Sequence, residues 1–300
     1  MKELLHKLSE AKVEVRKNEM LSRYSTFKIG GVADVIAFPD STEKLTAAIK
    51  AAKDMGMPYE VVGNGSNMLF SDDGYRGLIV VTKNIKDISF KEDGSVFCGC
   101  GAMLPALSAA ACDRSLSGLE FACGIPGSVG GAVFMNAGAH GGEISGVLRS
   151  SVAYDTKNDT VVTINADEHL FSYRHSIYAD NRALVCLGAE LALSPSDKEE
   201  ISAKMRENTE KRKGSQPLSS PSAGSFFKRP EGYFAAKLID DCGLKGYRVG
   251  NAAVSEKHAG FIVNLGGATA KDVLRLAEYV ADKVYAEFGV RLEREVRYIG

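Results

Sequence analysis

One glycine-rich run limits what this chain can fold into. Gly124-Ile125-Pro126-Gly127-Ser128-Val129-Gly130-Gly131-Ala132 is followed closely by Asn136-Ala137-Gly138-Ala139-His140-Gly141-Gly142. Residues without a Cβ let backbone N–H groups crowd onto a ligand. Such groups aimed one way form a concave anion site suited to phosphate. The run is too long and irregular to be a single turn. It reads as the bed of a large, flat, phosphorylated cofactor, with a tightly packed corner between domains as the competing reading.

A second loop, Gly63-Asn64-Gly65-Ser66-Asn67, follows a short apolar strand expected over Pro58–Val62. It is not a dinucleotide fingerprint: Met68 stands where a third glycine belongs, and Leu69-Phe70-Ser71-Asp72-Asp73-Gly74 does not begin a helix. No Walker lysine is present. A phosphate loop without a helix behind it relies on backbone N–H groups and on the side chains of Ser66 and Asn67; a plain strand-to-strand turn is the alternative. Two such loops in one chain favour a cofactor that touches both.

A length of 300 residues suggests two or three domains. With 37 basic and 38 acidic residues the net charge is -1, which gives no reason to expect nucleic acid or an anionic membrane as partner. No stretch approaches the roughly 18 apolar residues of a membrane span. The N-terminus alternates charge with short apolar pieces and reads as a surface helix, Glu3 to Leu8 at least, instead of a signal peptide. Cys98, Cys100, Cys112, Cys123, Cys186 and Cys242 have no zinc or redox spacing, which points to reduced thiols in a cytoplasmic protein. The histidines show no ligand spacing, so no metal is expected.

Periodicity predicts a helix after Ser41, another over Met103–Ser115, a charged helix from Ser196 (with Glu199 as a capping-box partner) to about Arg212, and a long helix capped by Thr269. Strands are expected over Gly77–Thr82, Val147–Asp155, Thr160–Asn165, Ala183–Leu193 and Val290–Ile299. Composition changes at Ser194-Pro195-Ser196. Boundaries are therefore placed near residues 85 and 194.

Three further segments carry side chains suited to chemistry. Arg174 lies in Tyr173-Arg174-His175-Ser176, between apolar neighbours, where an arginine must be paired, with a structural carboxylate or with a substrate anion. Ser225 sits between Gly224 and Phe226-Phe227, with Lys228 and Arg229 behind it. No nucleophile elbow or triad supports it as a nucleophile, which leaves a proton donor to a strongly basic acceptor or an ordinary capping serine. On an extended final strand Glu293, Glu295 and Arg297 would share one face, an arrangement that usually means cross-strand ion pairs.

Taken together, Tyr24-Ser25-Thr26-Phe27-Lys28-Ile29-Gly30-Gly31, Gly63–Leu69, Gly124–Gly142, Ser172-Tyr173-Arg174, Gly224–Lys228, Asp241-Cys242-Gly243-Leu244-Lys245-Gly246 and Leu292–Arg297 resemble, in order, the UDP-N-acetylenolpyruvoylglucosamine reductase (UDP-N-acetylmuramate dehydrogenase) family. The short interval between Arg174 and Ser225 matches its shorter subclass. The resemblance implies an α+β architecture, an FAD-binding fold of the vanillyl-alcohol-oxidase (PCMH) type. Residues 1–85, joined by the C-terminal strand 290–300, and 86–193 would be two FAD-clasping subdomains, and 194–289 a third, substrate-binding α+β domain.

The same resemblance implies FAD as cofactor, NADPH as co-substrate and a UDP-sugar enolpyruvyl ether as substrate; no long apolar heptad or obvious interface is visible in the sequence, so a monomer is expected. Arg174 and a protonated Glu295 would stabilise negative charge growing on the substrate, typically by about 3 kcal/mol per well-placed donor. Ser225 would give the proton to C2, since a carbanion is basic enough to take one from a hydroxyl. Gly63, Asn64, Gly65, Ser66, Asn67, Gly124, Gly127, Ser128, Gly131, Asn136 and Gly138 would line the cofactor. Tyr173, Lys213, Lys228 and His258 would bind substrate, and Arg229 departs from the family's usual asparagine. A related FAD-dependent sugar-alcohol or aldonolactone oxidase, or a silent sugar-nucleotide sensor, remain the alternatives.

Overall fold

The computed structural model describes all residues, Met1–Gly300. The chain forms two compact units. Unit 1 comprises residues 1–17, 35–64 and 77–212, and unit 2 comprises 18–34, 65–76 and 213–300.

Unit 1 is built on an antiparallel sheet in the order Thr160–Asn165, Leu148–Asp155, Leu184–Ala192, Ser95–Gly99, Ile88–Phe90. The first three are expected strands to within a residue or two, whereas Ser95–Gly99 and Ile88–Phe90 were not expected from the sequence. Tyr59–Val62 pairs in parallel with Tyr75–Val81, from Tyr59 opposite Leu78 to Val62 opposite Val81. Helices α1 (Lys2–Glu10) and α2 (Thr42–Asp54) bury Leu4, Leu8, Leu45 and Ile49 in the unit's core. The Ser41 hydroxyl caps α2 by accepting from Lys44 N. α3 (Leu104–Cys112) is shorter than expected, and α4 (Val129–Met135) and the one-turn α5 (Ile177–Asp180) complete the small helices.

The charged helix α6 (Lys198–Ser215) changes two expectations. Its capping side chain is Asp197, not Ser196: the carboxylate accepts from Glu200 N at 3.0 Å. The composition change at Ser194–Ser196 also marks only the start of this helix, because the passage into unit 2 comes at Arg212/Lys213. α6 stays with unit 1 through specific bonds: Asn208 Nδ2 donates to Glu120 O at 2.9 Å, and Cys123 Sγ lies 3.7 Å from Thr209 Oγ1.

Unit 2 has an antiparallel sheet in the order Ser222–Ser225, Phe261–Asn264, Ala252–Val254, Arg248–Val249, with α7 (Ala235–Asp241) and α8 (Ala270–Phe288). Val273, Leu276, Ala277, Val280 and Val284 of α8 recur at helical spacing and join Phe226, Phe227, Leu238 and Ile262 in the second core. Thr269 and Asp272 form a capping box, and the Asp72 carboxylate accepts from Ala270 N and Lys271 N at 2.7 and 3.0 Å. The last strand is short. Only Arg297–Ile299 is a strand, parallel to Met68–Phe70, whereas Arg294 makes an isolated bridge to Phe227. The chain changes partner around Val296, so the continuous alternation expected over Val290–Ile299 does not form. No helix of the chain is long and apolar enough to cross a membrane.

Candidate active site

In unit 1 the two glycine loops meet. A Cβ on Gly63 would stand 2.1 Å from Ser128 Oγ, so only glycine allows this approach. Asn64 Nδ2 donates to Pro126 O at 2.7 Å, fastening the end of the Tyr59–Val62 strand to the second loop. Ser128 caps α4, its hydroxyl accepting from Gly131 N at 3.4 Å. The backbone N–H groups of Asn64, Gly124, Gly127 and Ser128 donate to no carbonyl of the chain. Bare main chain with undelivered N–H groups is the donor set that phosphate and flavin oxygens accept from, so the residues fit an FAD.

Behind this cradle Asn136 does not face a ligand. It is fully buried in a left-handed conformation that ends α4, with Nδ2 donating to Ser172 O at 3.1 Å and Oδ1 accepting from Ser145 N at 2.9 Å. It thereby fixes the turn in which Ser172 pairs with His175. Arg174, at the corner of that turn, has φ +56°, an uncommon and strained value for a side chain of this size. Its Nη2 donates to Gly138 O at 3.2 Å, and its guanidinium lies 5.0 Å from the ring centroid of Tyr173. Tyr173 is 47% exposed.

Sequence reasoning missed what holds this turn from beneath. His169, Ser151 and Tyr178 are all buried, with Ser151 Oγ 2.9 Å from His169 Nε2 and 2.6 Å from the Tyr178 hydroxyl. His169 Nδ1 lies 2.7 Å from Asn165 O and so carries the proton it donates there. Burial pushes the imidazole below its ordinary range, which keeps it neutral. A lone histidine in an unremarkable segment carries no sequence signal for such a cluster.

In unit 2 the backbone gathers the second set of residues. Phe226 N donates to Gly260 O at 2.8 Å, and Phe226 O accepts from Glu295 N at 2.9 Å. Ser225, opposite Phe261 in the sheet, is therefore set between the His258–Phe261 segment and Glu295. Ser225 is exposed, as a hydroxyl must be to reach a substrate. Lys228 N donates to Glu293 O at 2.8 Å, and Lys228 Nζ is 3.4 Å from Glu293 Oε2. His258 stands edge-on to Phe261 at 5.0 Å, and burial lowers its basicity. The Lys213 carbonyl accepts from Lys257 Nζ.

Gly65 in the same unit has φ +61°, and a Cβ there would lie 2.1 Å from Tyr24 O. Asn67 Nδ2 donates to Glu295 O at 3.2 Å and Asn67 O accepts from Arg297 N at 3.0 Å, while Ser66 lies in the intervening turn. The loop thus also holds the segment that carries Glu295. Among the thiols, burial raises Cys98 and Cys186 to about 12, so neither is a thiolate near neutrality.

Residues 33–156 match the family model described as an FAD binding domain, and residues 216–299 match that of the UDP-N-acetylenolpyruvoylglucosamine reductase C-terminal domain. A UDP-N-acetylenolpyruvoylglucosamine reductase of Caldicellulosiruptor bescii is 49% identical over 98% of this chain and 93% of its own length. One from Agathobacter rectalis is 48% identical, over 95% and 93% respectively. The crystal structure of the Thermus caldophilus enzyme of that name superposes with a TM-score of 0.81 at 36% identity, covering 96% of this chain and 99% of the other. Glycine loops fitted to a flavin nucleotide, the α+β fold and these likenesses agree: the chain belongs to the UDP-N-acetylenolpyruvoylglucosamine reductase family of FAD-containing oxidoreductases.

Proposed function

We propose that this protein reduces the enolpyruvyl group of UDP-N-acetylglucosamine enolpyruvate to give UDP-N-acetylmuramate, a peptidoglycan precursor, with NADPH as reductant, acting as a cytoplasmic monomer. Family membership supports the substrate. The observation that carries the reading within the chain is the placement of Ser225 beside Glu295 through the Phe226 O to Glu295 N hydrogen bond.

The glycine loops around Gly63 and Ser128 would hold FAD, which would supply the redox chemistry, hydride accepted from NADPH and delivered to the vinyl C3. Charge then develops at C2 and in the adjoining carboxylate of the substrate. Arg174 places a guanidinium at that carboxylate, and Glu295 donates a proton in a hydrogen bond to it, so the charge is met where it grows. Ser225 Oγ gives its proton to C2 and recovers one from solvent, completing addition of hydride and proton across the double bond. Lys213, Lys228, His258 and Tyr173 bind the sugar nucleotide.

The test is the visible spectrum of the purified protein under anaerobic conditions. Addition of NADPH should bleach the flavin, and addition of the enolpyruvyl substrate should restore it. Ser225→Ala should bleach normally and fail to recover; unimpaired recovery would remove Ser225 from the mechanism.

A further inference from the structure

Arg212, the last residue of unit 1, is a cation with no counter-ion. It lies mostly out of solvent, yet its guanidinium makes no ion pair or hydrogen bond. Burial disfavours its charged form. Its stem lies along the glycine run: a Cβ on Gly124 would stand 2.9 Å from Arg212 Cδ and 3.7 Å from both Nε and Nη1. A desolvated charge without a partner is unfavourable in a folded chain, and a fold retains one where a ligand supplies the missing charge. The same run offers the unbonded N–H groups of Gly124, Gly127 and Ser128.

We propose that Arg212 is a cofactor-binding residue whose guanidinium pairs with an anionic group of bound FAD, across the gap that glycine at position 124 keeps open. Two parts of FAD share this chemistry. The pyrophosphate is anionic in both oxidation states, whereas the N1–C2 carbonyl edge of the isoalloxazine gains negative charge on reduction. The inference rests on FAD binding alone and is independent of the roles assigned to Arg174, Ser225 and Glu295.

The test reads cofactor affinity and apoprotein stability instead of turnover. Apoprotein is titrated with oxidised FAD and with riboflavin by flavin fluorescence, and the reduction potential of each reconstituted form is measured. Arg212→Gln should weaken FAD binding at least about tenfold, as for loss of a charge-assisted hydrogen bond, and Arg212→Lys should weaken it less. The Arg212→Gln apoprotein should melt at the same temperature as wild type or higher, because an unpaired charge has been removed; a merely structural arginine would give the reverse. Gly124→Ala, which displaces the Arg212 stem while keeping its charge, should reproduce the affinity loss. If the pyrophosphate is the partner, riboflavin binding is unchanged by Arg212→Gln; if the isoalloxazine edge is, riboflavin weakens too and the reduction potential falls. Unchanged FAD affinity and potential in Arg212→Gln, or a rise confined to the KM for NADPH or the UDP-sugar, would overturn the proposal. Should Arg212→Gln not fold, Arg212→Lys and Gly124→Ala decide it by the same readouts.

Discussion

Unit 1 and unit 2 present their polar groups in opposite ways. In unit 1 the cradle is main chain: N–H groups bared by glycine, and loops brought together because Gly63 lacks a Cβ against Ser128. In unit 2 the exposed candidate groups are side chains, positioned by backbone hydrogen bonds such as those of Phe226 with Gly260 and Glu295. The first arrangement suits recognition of a cofactor by shape and oxygen pattern. The second suits delivery of a single proton from a fixed point. Left-handed backbone occurs in both: Asn136 and Arg174 in unit 1, and Lys28 and Gly224, next to Ser225, in unit 2.

The comparison breaks most sharply at Ser225. Its alanine variant should lose about 10²–10⁴-fold in kcat while the rate of flavin bleaching by NADPH and the melting temperature stay unchanged, since an exposed hydroxyl contributes little to the fold. Gly63→Ala is the counterpart in unit 1. It should lose FAD and destabilise the protein by about 1–3 kcal/mol through overpacking, and Ser128→Gly in the same chain should recover much of both. Failure of that rescue, measured by denaturant unfolding and flavin content, would mean that the loops do not meet as described.

Arg174→Gly separates strain from function. Glycine tolerates φ +56°, so stability should hold within about 1 kcal/mol of wild type while turnover with the enolpyruvyl substrate collapses. A large stability loss would show the arginine to be structural. Acid sharpens the contrast more gently. Burial lowers the pKa of His169 in the folded state, so the unfolded chain takes up its proton first as pH falls. The stability it contributes is present above about pH 6.5 and is lost as pH drops toward the lowered folded value; His258 acts in the same direction. Melting temperature should fall between pH 7.5 and 5.5, and less in His169→Gln. The smallest effect belongs to Thr269→Ala, which removes a cap worth about 1 kcal/mol and should leave activity untouched.

These differences also explain what was legible beforehand. The glycine run, the α8 cap with its apolar stripe and the strands Leu148–Asp155, Thr160–Asn165 and Leu184–Ala192 are local patterns, and each appears where periodicity or composition puts it; Ile88–Phe90 and Ser95–Gly99 were not anticipated. The assignment of Arg174, Ser225 and Glu295 rests on ordered resemblance and on no single motif. Three things were hidden. The Ser151–His169–Tyr178 cluster joins distant residues with no spacing rule. The chain's change of partner around Val296 depends on tertiary pairing that overrides alternation. Arg212 lay in the run Lys211-Arg212-Lys213, where a charged helix end reads as a solvated surface. α6 likewise belongs with unit 1 because of Asn208 and Cys123, neither of which marks a boundary in composition.

The hydrogen bond between Phe226 O and Glu295 N joins the residue after Ser225 to one far along the chain. On the ribosome Glu295 emerges after every residue of unit 1. Unit 2, assembled from residues 18–34, 65–76 and 213–300, closes only after long intervening chain has been made, and contacts so distant in sequence form slowly. Unit 1 has all its residues by Arg212. Synthesis thus completes the residues of the glycine cradle before those that surround Ser225.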